Sequence, residues 1–173
     1  MSQSLVVRPL HDSDDLVALT HDVIRAGYAS QAARGLRYWA THQSPEDTAT
    51  RFAAGHGLVA EAAGRIVGTI TARPPQPESD MELYRDPKVW TLCQFAVMPD
   101  FKGQGIGRAL HRAALELARE RGAATMAIDT AAPATDVIEM YRRWGYVEVG
   151  THDRRPKTNY LSVLMRRTLC EVA

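Results

Sequence analysis

The chain has few cysteines, almost no net charge and no long apolar run, and each shortage excludes a class of protein. Two of its 173 residues are cysteine, which is too few for a disulfide framework. The formal net charge of +1 gives no reason to expect a nucleic-acid or membrane partner. No apolar run approaches the ~20 residues of a membrane span, and no basic-then-apolar targeting pattern opens the chain. We therefore expect a cytoplasmic protein.

Metal-site spacing is also missing. The six histidines include no H-x-x-x-H pair, and the cysteines form no C-x-x-C pair, so the sequence predicts no metal site. Cys93 could be read as a nucleophile, but within an apolar strand it is better explained as a small buried residue.

Hydrophobic periodicity predicts a single domain over residues 1–173, with the order β-α-α-β-β-β-α-β-α-β-β. The first helix is expected to end near Gly27, and a polar loop is expected from Pro74 to Lys88. The long apolar strand Val89–Val97 should lie in the sheet centre. The strand after the next helix should run parallel to it. The fold class is therefore α+β, with a mixed, mostly antiparallel sheet of six to seven strands and helices on both faces.

A glycine-rich loop at 102–107 separates the central strand from an amphipathic helix. Glycines at 103, 105 and 107 let backbone amides approach a bulky group, and the helix that follows directs its positive end to the same place, so the stretch is typical of a phosphate cradle. The dinucleotide fingerprint would need glycine at 108 or 110, which are Arg108 and Leu110. A P-loop would need Gly-Lys-Ser/Thr, which does not occur.

The sequence Lys102-Gly103-Gln104-Gly105-Ile106-Gly107 resembles the central motif Arg/Gln-x-x-Gly-x-Gly/Ala of the GNAT superfamily of acyl-CoA-dependent N-acyltransferases. Lys102 stands in the Arg/Gln place. Arg8-Pro9, the Leu58–Thr71 hairpin and the stretch 140–146 around Tyr141 also lie where this family has equivalents. Asp136 lies in the region where the family commonly has asparagine.

The resemblance implies acetyl-CoA as cosubstrate and a GNAT-like fold. It implies that the backbone of Phe95, Ala96 and Val97 pairs with the pantetheine arm, beside a β-bulge that splays the neighbouring strands. It implies that the pyrophosphate is held by Lys102, Gly103, Gln104, Gly105, Ile106, Gly107 and Arg108. Tyr141 is the implied general acid or hydrogen-bond donor at the departing sulfur. A homodimer is a common state in this family.

The sequence leaves the acceptor and the general base undetermined. Carboxylates in the Pro74–Lys88 loop, next to Trp90, suit a cationic amine. Arginines between Tyr28 and His42 suit an acceptor that also carries an anion, and the basic cluster 154–157 is either a solvated loop or a contact for an anionic substrate. The candidates for the base are Glu78, Asp80, Glu82, Glu61, His42 and water.

Acetyl transfer to a small-molecule amine in a ternary complex is the main hypothesis. The alternatives are transfer to a protein N-terminus or lysine, and a non-catalytic acyl-CoA sensor on the same fold.

Overall fold

Seven strands form one mixed sheet in the computed structural model, which describes residues 4–11 and 14–169. The strand order is β1-β2-β3-β4-β5-β7-β6, and every neighbouring pair is antiparallel except β4 and β5. The predicted α+β class, the central position of β4 and the parallel β4–β5 pair are confirmed. Cys170 lies outside the described residues. The strands are β1 Val6–Pro9, β2 His56–Ala62, β3 Arg65–Arg73, β4 Val89–Val97, β5 Thr125–Ala131, β6 Val147–Asp153 and β7 Leu161–Thr168.

Helices cover both faces of this sheet. They are α1 Asp14–Ala33, α2 Pro45–Ala53, α3 Glu82–Arg85, α4 Ile106–Glu120 and α5 Thr135–Arg143, with short 3-10 turns at Trp39–Thr41 and Pro99–Phe101. In residues 4–11 and 14–169, no helix combines the length and the apolarity needed to cross a bilayer.

Side chains of β4 alternate between the two layers of helices. Ala96 packs with Val23 and Ile24 of α1, whereas Phe95 and Val97 face Gly107 at the start of α4. Because neighbouring residues of a strand point to opposite faces, α1 and α4 lie on opposite sides of the sheet. The larger apolar cluster lies on the α4 side and includes Leu110, Ala114, Ile70, Met126 and Met165.

The first helix is longer than the sequence predicts. It continues through Gly27 to Ala33, so the predicted end near Gly27 is wrong. A Cβ on Gly27 would lie 2.8 Å from the Cβ of Ala96 and 3.1 Å from the carbonyl oxygen of Val97. The glycine therefore permits close packing of α1 on β4, and its role is tertiary rather than that of a helix terminator.

The predicted loop between Pro74 and Lys88 is also partly wrong, because α3 forms within it. Its Tyr84 is buried with Met81 and Val89 in a small apolar cluster, and the Tyr84 hydroxyl donates to Asp129 Oδ1 at 2.7 Å. This contact fixes the segment against β5.

A capping box begins the second helix. Ser44 Oγ accepts from the Asp47 amide at 3.1 Å, and Asp47 Oδ2 accepts from the Ser44 amide at 2.9 Å. This capping box, with Pro45 at the first helical position, fixes where α2 begins.

Candidate functional site

The central strands separate after a short stretch of pairing. β4 and β5 pair only from Val89 to Thr91 and from Thr125 to Ala127. Farther along, the register between β3 and β4 shifts between Thr69 and Thr71, and Gln94 has a φ of +50°. The irregular backbone bends β4 away from β5 and leaves the β5-facing edge of its later residues without a strand partner among the described residues.

A cleft of about 1140 Å³ occupies the gap between these strands. The glycine-rich loop, α1, α2 and α5 complete its walls. Its lining includes most of the residues that the sequence analysis implicates in donor binding: Phe95, Ala96, Val97, Lys102, Gly103, Gly105, Ile106, Gly107 and Arg108. Gln104 differs, because its side chain lies outside the lining and donates to the carbonyl oxygen of Asp100 at 3.3 Å.

The glycine-rich loop presents free backbone amides to this cleft. Gly103 and Gly105 have φ values of +76° and +80°, a region that favours glycine. Gly105 is the N-cap of α4 and supplies no capping side chain. Among the described residues, no hydrogen bond uses a backbone N–H from Gly103 to Arg108. Such a helix start, with Lys102 and Arg108 beside it, can hold an anionic phosphate group.

Tyr141 projects into the same cleft from α5. Its ring packs edge-on against Trp144 and Tyr146, with centroid distances of 5.8 and 5.2 Å. No described residue hydrogen-bonds to its hydroxyl. Burial, together with the nearby Tyr28, raises the pKa of Tyr141 well above its ordinary value. The group therefore stays protonated at neutral pH and is available as a hydrogen-bond donor.

Only two of the candidate carboxylate and histidine bases line the cleft. Glu78 and Asp80 line the cleft. Glu82 lies in α3, outside the lining. Glu61 pairs with Arg8 at 3.1 Å, and the His42 ring packs edge-on against Trp39. Neither residue lines the cleft.

Asp80 is poorly suited to accept a proton. His152 Nε2 lies 3.0 Å from its Oδ2, and Arg154 lies 3.7 Å from its Oδ1. The hydrogen bond with His152, aided by Arg154, lowers the pKa of Asp80. The geometry therefore makes Asp80 a partner that joins the segment before α3 to the end of β6 and the residue that follows it.

Both suggested acceptor regions reach the cleft, but not with every residue. Tyr28, Tyr38 and Trp39 line it from one side, and Gln76 lines it from the other. Trp90 does not line it, because it is buried in the core and stacks on His56 at 5.5 Å. In the basic cluster, Arg154 and Lys157 line the cleft, whereas Arg155 is held by Asp153 at 2.7 Å.

Sequence reasoning missed Asp129 and Arg51, which both line the cleft. Asp129 accepts from Tyr84 and lies 3.6 Å from Arg154. A carboxylate in the apolar segment 124–131 is the signal that could have identified it. Arg51 carried no such signal, because an arginine in the last turn of an amphipathic helix is ordinary.

Cys93 lies on the cleft wall as a half-buried free thiol. Burial raises its pKa, and the nearby Arg51 only partly offsets this effect. A thiol with a raised pKa is a weak nucleophile, which favours a packing role for Cys93. In the described part of the chain, no group of His, Cys, Asp and Glu side chains has the arrangement of a metal site.

Comparison with known proteins agrees with this geometry. The model of the Acetyltransferase (GNAT) family matches residues 22–146, which include the glycine-rich loop and α5. The chain therefore belongs to the GNAT acetyltransferase family.

Curated relatives match only part of this chain. N-acetyltransferase 8 of Mus musculus is 34% identical over 92 residues, which are 53% of this chain and 38% of that protein. The matched region thus spans well under half of the relative's length.

Solved structures match almost the whole chain. The ribosomal-protein-S18-alanine N-acetyltransferase from Escherichia coli is 15% identical, with a TM-score of 0.73 and coverage of 98% of this chain and 97% of that one. Ard1 from Thermoplasma volcanium is 18% identical, with a TM-score of 0.73 and coverage of 96% and 99%. These likenesses show the fold.

Proposed function

We propose that this chain transfers an acetyl group from acetyl-CoA to the amine of an acceptor, with both bound in the cleft at once. The observation that carries the proposal is the gap between β4 and β5. It joins a helix start with free amides at one end to the unpartnered hydroxyl of Tyr141. A phosphate-bearing thioester fits such a path.

Donor binding uses two parts of the cleft in this proposal. Backbone amides from Gly103 to Arg108, with the Lys102 and Arg108 side chains, hold the pyrophosphate. Backbone groups of Phe95 to Val97 on the free side of β4 pair with the amides of the pantetheine arm, as an added strand would. The free donors of the loop and the unpartnered edge of β4 support both assignments.

The thioester supplies an activated acyl group, and the chain supplies positioning and hydrogen bonds. The amine nitrogen forms a bond to the acyl carbon, the carbon–sulfur bond breaks, and the amine loses a proton. A backbone N–H near the bulge at Gln94 stabilises the negative charge that develops on the carbonyl oxygen. Tyr141 donates to the departing sulfur. Because its pKa lies well above that of a thiol, hydrogen bonding is favoured over complete proton transfer.

The amine's proton has several possible acceptors in this proposal. Glu78 lines the cleft and has no ion-pair partner among the described residues. Asp129 also lines it, although Tyr84 and Arg154 already occupy its carboxylate. A water molecule relayed to either carboxylate serves the same purpose.

Thermal unfolding tests the donor half of this proposal. Acetyl-CoA and CoA at concentrations well above their Kd should each raise the Tm, because a ligand that binds only the folded state stabilises it by mass action. ADP, which carries a pyrophosphate without the pantetheine arm, should raise it less. If neither acetyl-CoA nor CoA changes the Tm, the cleft is not a CoA site.

A further inference from the structure

Arg51 is a positively charged residue on the wall of the cleft. It lies in the last turn of α2 and is half-buried. Its Nη1 donates to Gln43 Oε1 at 2.6 Å. It forms no ion pair with any carboxylate in residues 4–11 and 16–169. Cys93 is a second hydrogen-bond partner of the guanidinium, and the other donors remain available to a ligand in the cleft.

A buried chain of side-chain amides holds Arg51 in place. Gln43 Nε2 donates to Gln94 Oε1 at 2.7 Å and to Thr48 Oγ1 at 2.6 Å, and both glutamines are almost fully buried. Gln94 is the residue at the β4 bulge. Burying amides costs free energy unless they are hydrogen-bonded, so this chain is a specific arrangement. It connects the bulge to the guanidinium of Arg51.

The cleft wall also carries a carboxylate, that of Asp129. Asp129 lines it from β5. Arg51 and Asp129 act in opposite directions on the pKa of Tyr28 and on that of Cys93, so both charges lie near the same two side chains. The walls of the cleft thus carry a positive group on α2 and a negative group on β5.

We propose that the acceptor is an amine that also carries a carboxylate, in the manner of a free amino acid. This inference rests on the proposed function and specifies its substrate class. Arg51 binds the carboxylate, since a planar guanidinium matches carboxylate geometry. Asp129, whose carboxylate also accepts from Tyr84 and lies near Arg154, uses its remaining acceptor positions to orient the amine toward the acyl group. Gln43 is a positioning residue that acts through Arg51.

A comparison of each amino acid with its amide as acceptor tests this inference directly. Release of the CoA thiol is measured with a panel of amino acids and with the amide of each one. The wild-type enzyme should use the acids with a kcat/KM about 10- to 100-fold higher than the amides, as expected for one charge-assisted contact. Arg51→Gln should remove this preference, mainly by raising the KM for the acid. Arg65→Gln, at an exposed site at the start of β3, should keep it.

A positioning role for Gln43 has its own readout. Gln43→Leu should raise the KM for the acids by a larger factor than it raises the KM for the amides, because only the acids contact Arg51. If kcat falls equally with acids and amides, the residue acts on the fold and not through Arg51.

Each remaining outcome has a definite meaning. Equal use of acids and amides, a preference for peptides, or a preference that survives Arg51→Gln would overturn the inference. Loss of acetyl-CoA binding in Arg51→Gln would assign this residue to the donor and would also overturn it. If the wild-type protein binds acetyl-CoA but acetylates no acid, only the substrate class is wrong. If it does not bind acetyl-CoA, the proposed function itself fails.

Discussion

The Tyr141 hydroxyl combines three properties that suit a donor to a leaving group. It faces the cleft, it has no hydrogen-bond partner among the described residues, and burial keeps it protonated. A buried hydroxyl with a purely structural role normally forms a hydrogen bond with a neighbour, as the Tyr146 hydroxyl does with His111 Nε2 at 2.8 Å.

Tyr141→Phe should lower kcat by about 10- to 100-fold, the loss expected for one hydrogen bond to a developing charge. The KM for acetyl-CoA should change little, because the bond forms mainly as the sulfur departs. Tyr146→Phe is the matched control: it should lower the Tm and leave kcat unchanged. An unchanged kcat in Tyr141→Phe would remove this residue from the mechanism.

Local pattern was sufficient to predict some residues of the site and insufficient for others. The glycine-rich loop was predictable because turn, N-cap and helix lie within one short stretch. The helix end predicted near Gly27 was wrong because the residue that requires a glycine there, Ala96, lies far away in the sequence. Arg51 acquires its position through Gln43 and Gln94, and no local pattern encodes that chain of contacts.

At the scale of elements, α4 is fixed by a buried histidine at its middle. His111 stacks on Trp144 at 4.6 Å and bonds to Tyr146, so it joins α4 to the segment after α5. Arginines at 108, 112, 143 and 167 surround it at a second cavity of about 440 Å³. Burial, with Arg167 and Arg108 nearby, lowers the pKa of His111 to about 4.

His111 should make stability depend on pH in mildly acidic solution. Its folded pKa of about 4 lies below its ordinary value of 6.5, so between these values the unfolded chain binds a proton that the folded chain does not. The free energy of unfolding should therefore fall as pH drops from about 6.5 to about 4, by on the order of 2 to 3 kcal/mol from this group.

Urea denaturation at a series of pH values measures this effect in His111→Gln. The variant should be less stable at pH 7 but should lose less stability on acidification than the wild type. His42→Gln, at an exposed position, should follow the wild-type curve. Identical pH slopes for wild type and His111→Gln would contradict this prediction, because they would show that folding does not lower the pKa of His111.

For the whole molecule, hydrophobic periodicity predicted the element order, the central strand and the parallel pair, because each follows from local pattern and from the handedness of crossovers. It could not predict the short helix α3, whose stability comes from burying Tyr84 and bonding it to Asp129. The acceptor side of the cleft could not be predicted either, because it depends on tertiary contacts. It combines residues of α1, α2, β4, β5 and the 154–160 loop.

The proposed reaction involves the molecule as a whole, because donor and acceptor must meet in one cleft. Its most direct test is release of free CoA thiol from acetyl-CoA by the purified protein, with and without a panel of amines, amino acids and peptides. We expect slow release without acceptor and a large, saturable increase with at least one amine, with the N-acetylated product detected by mass spectrometry. Binding of acetyl-CoA without amine-dependent release across the panel would contradict it and would favour an acyl-CoA sensor.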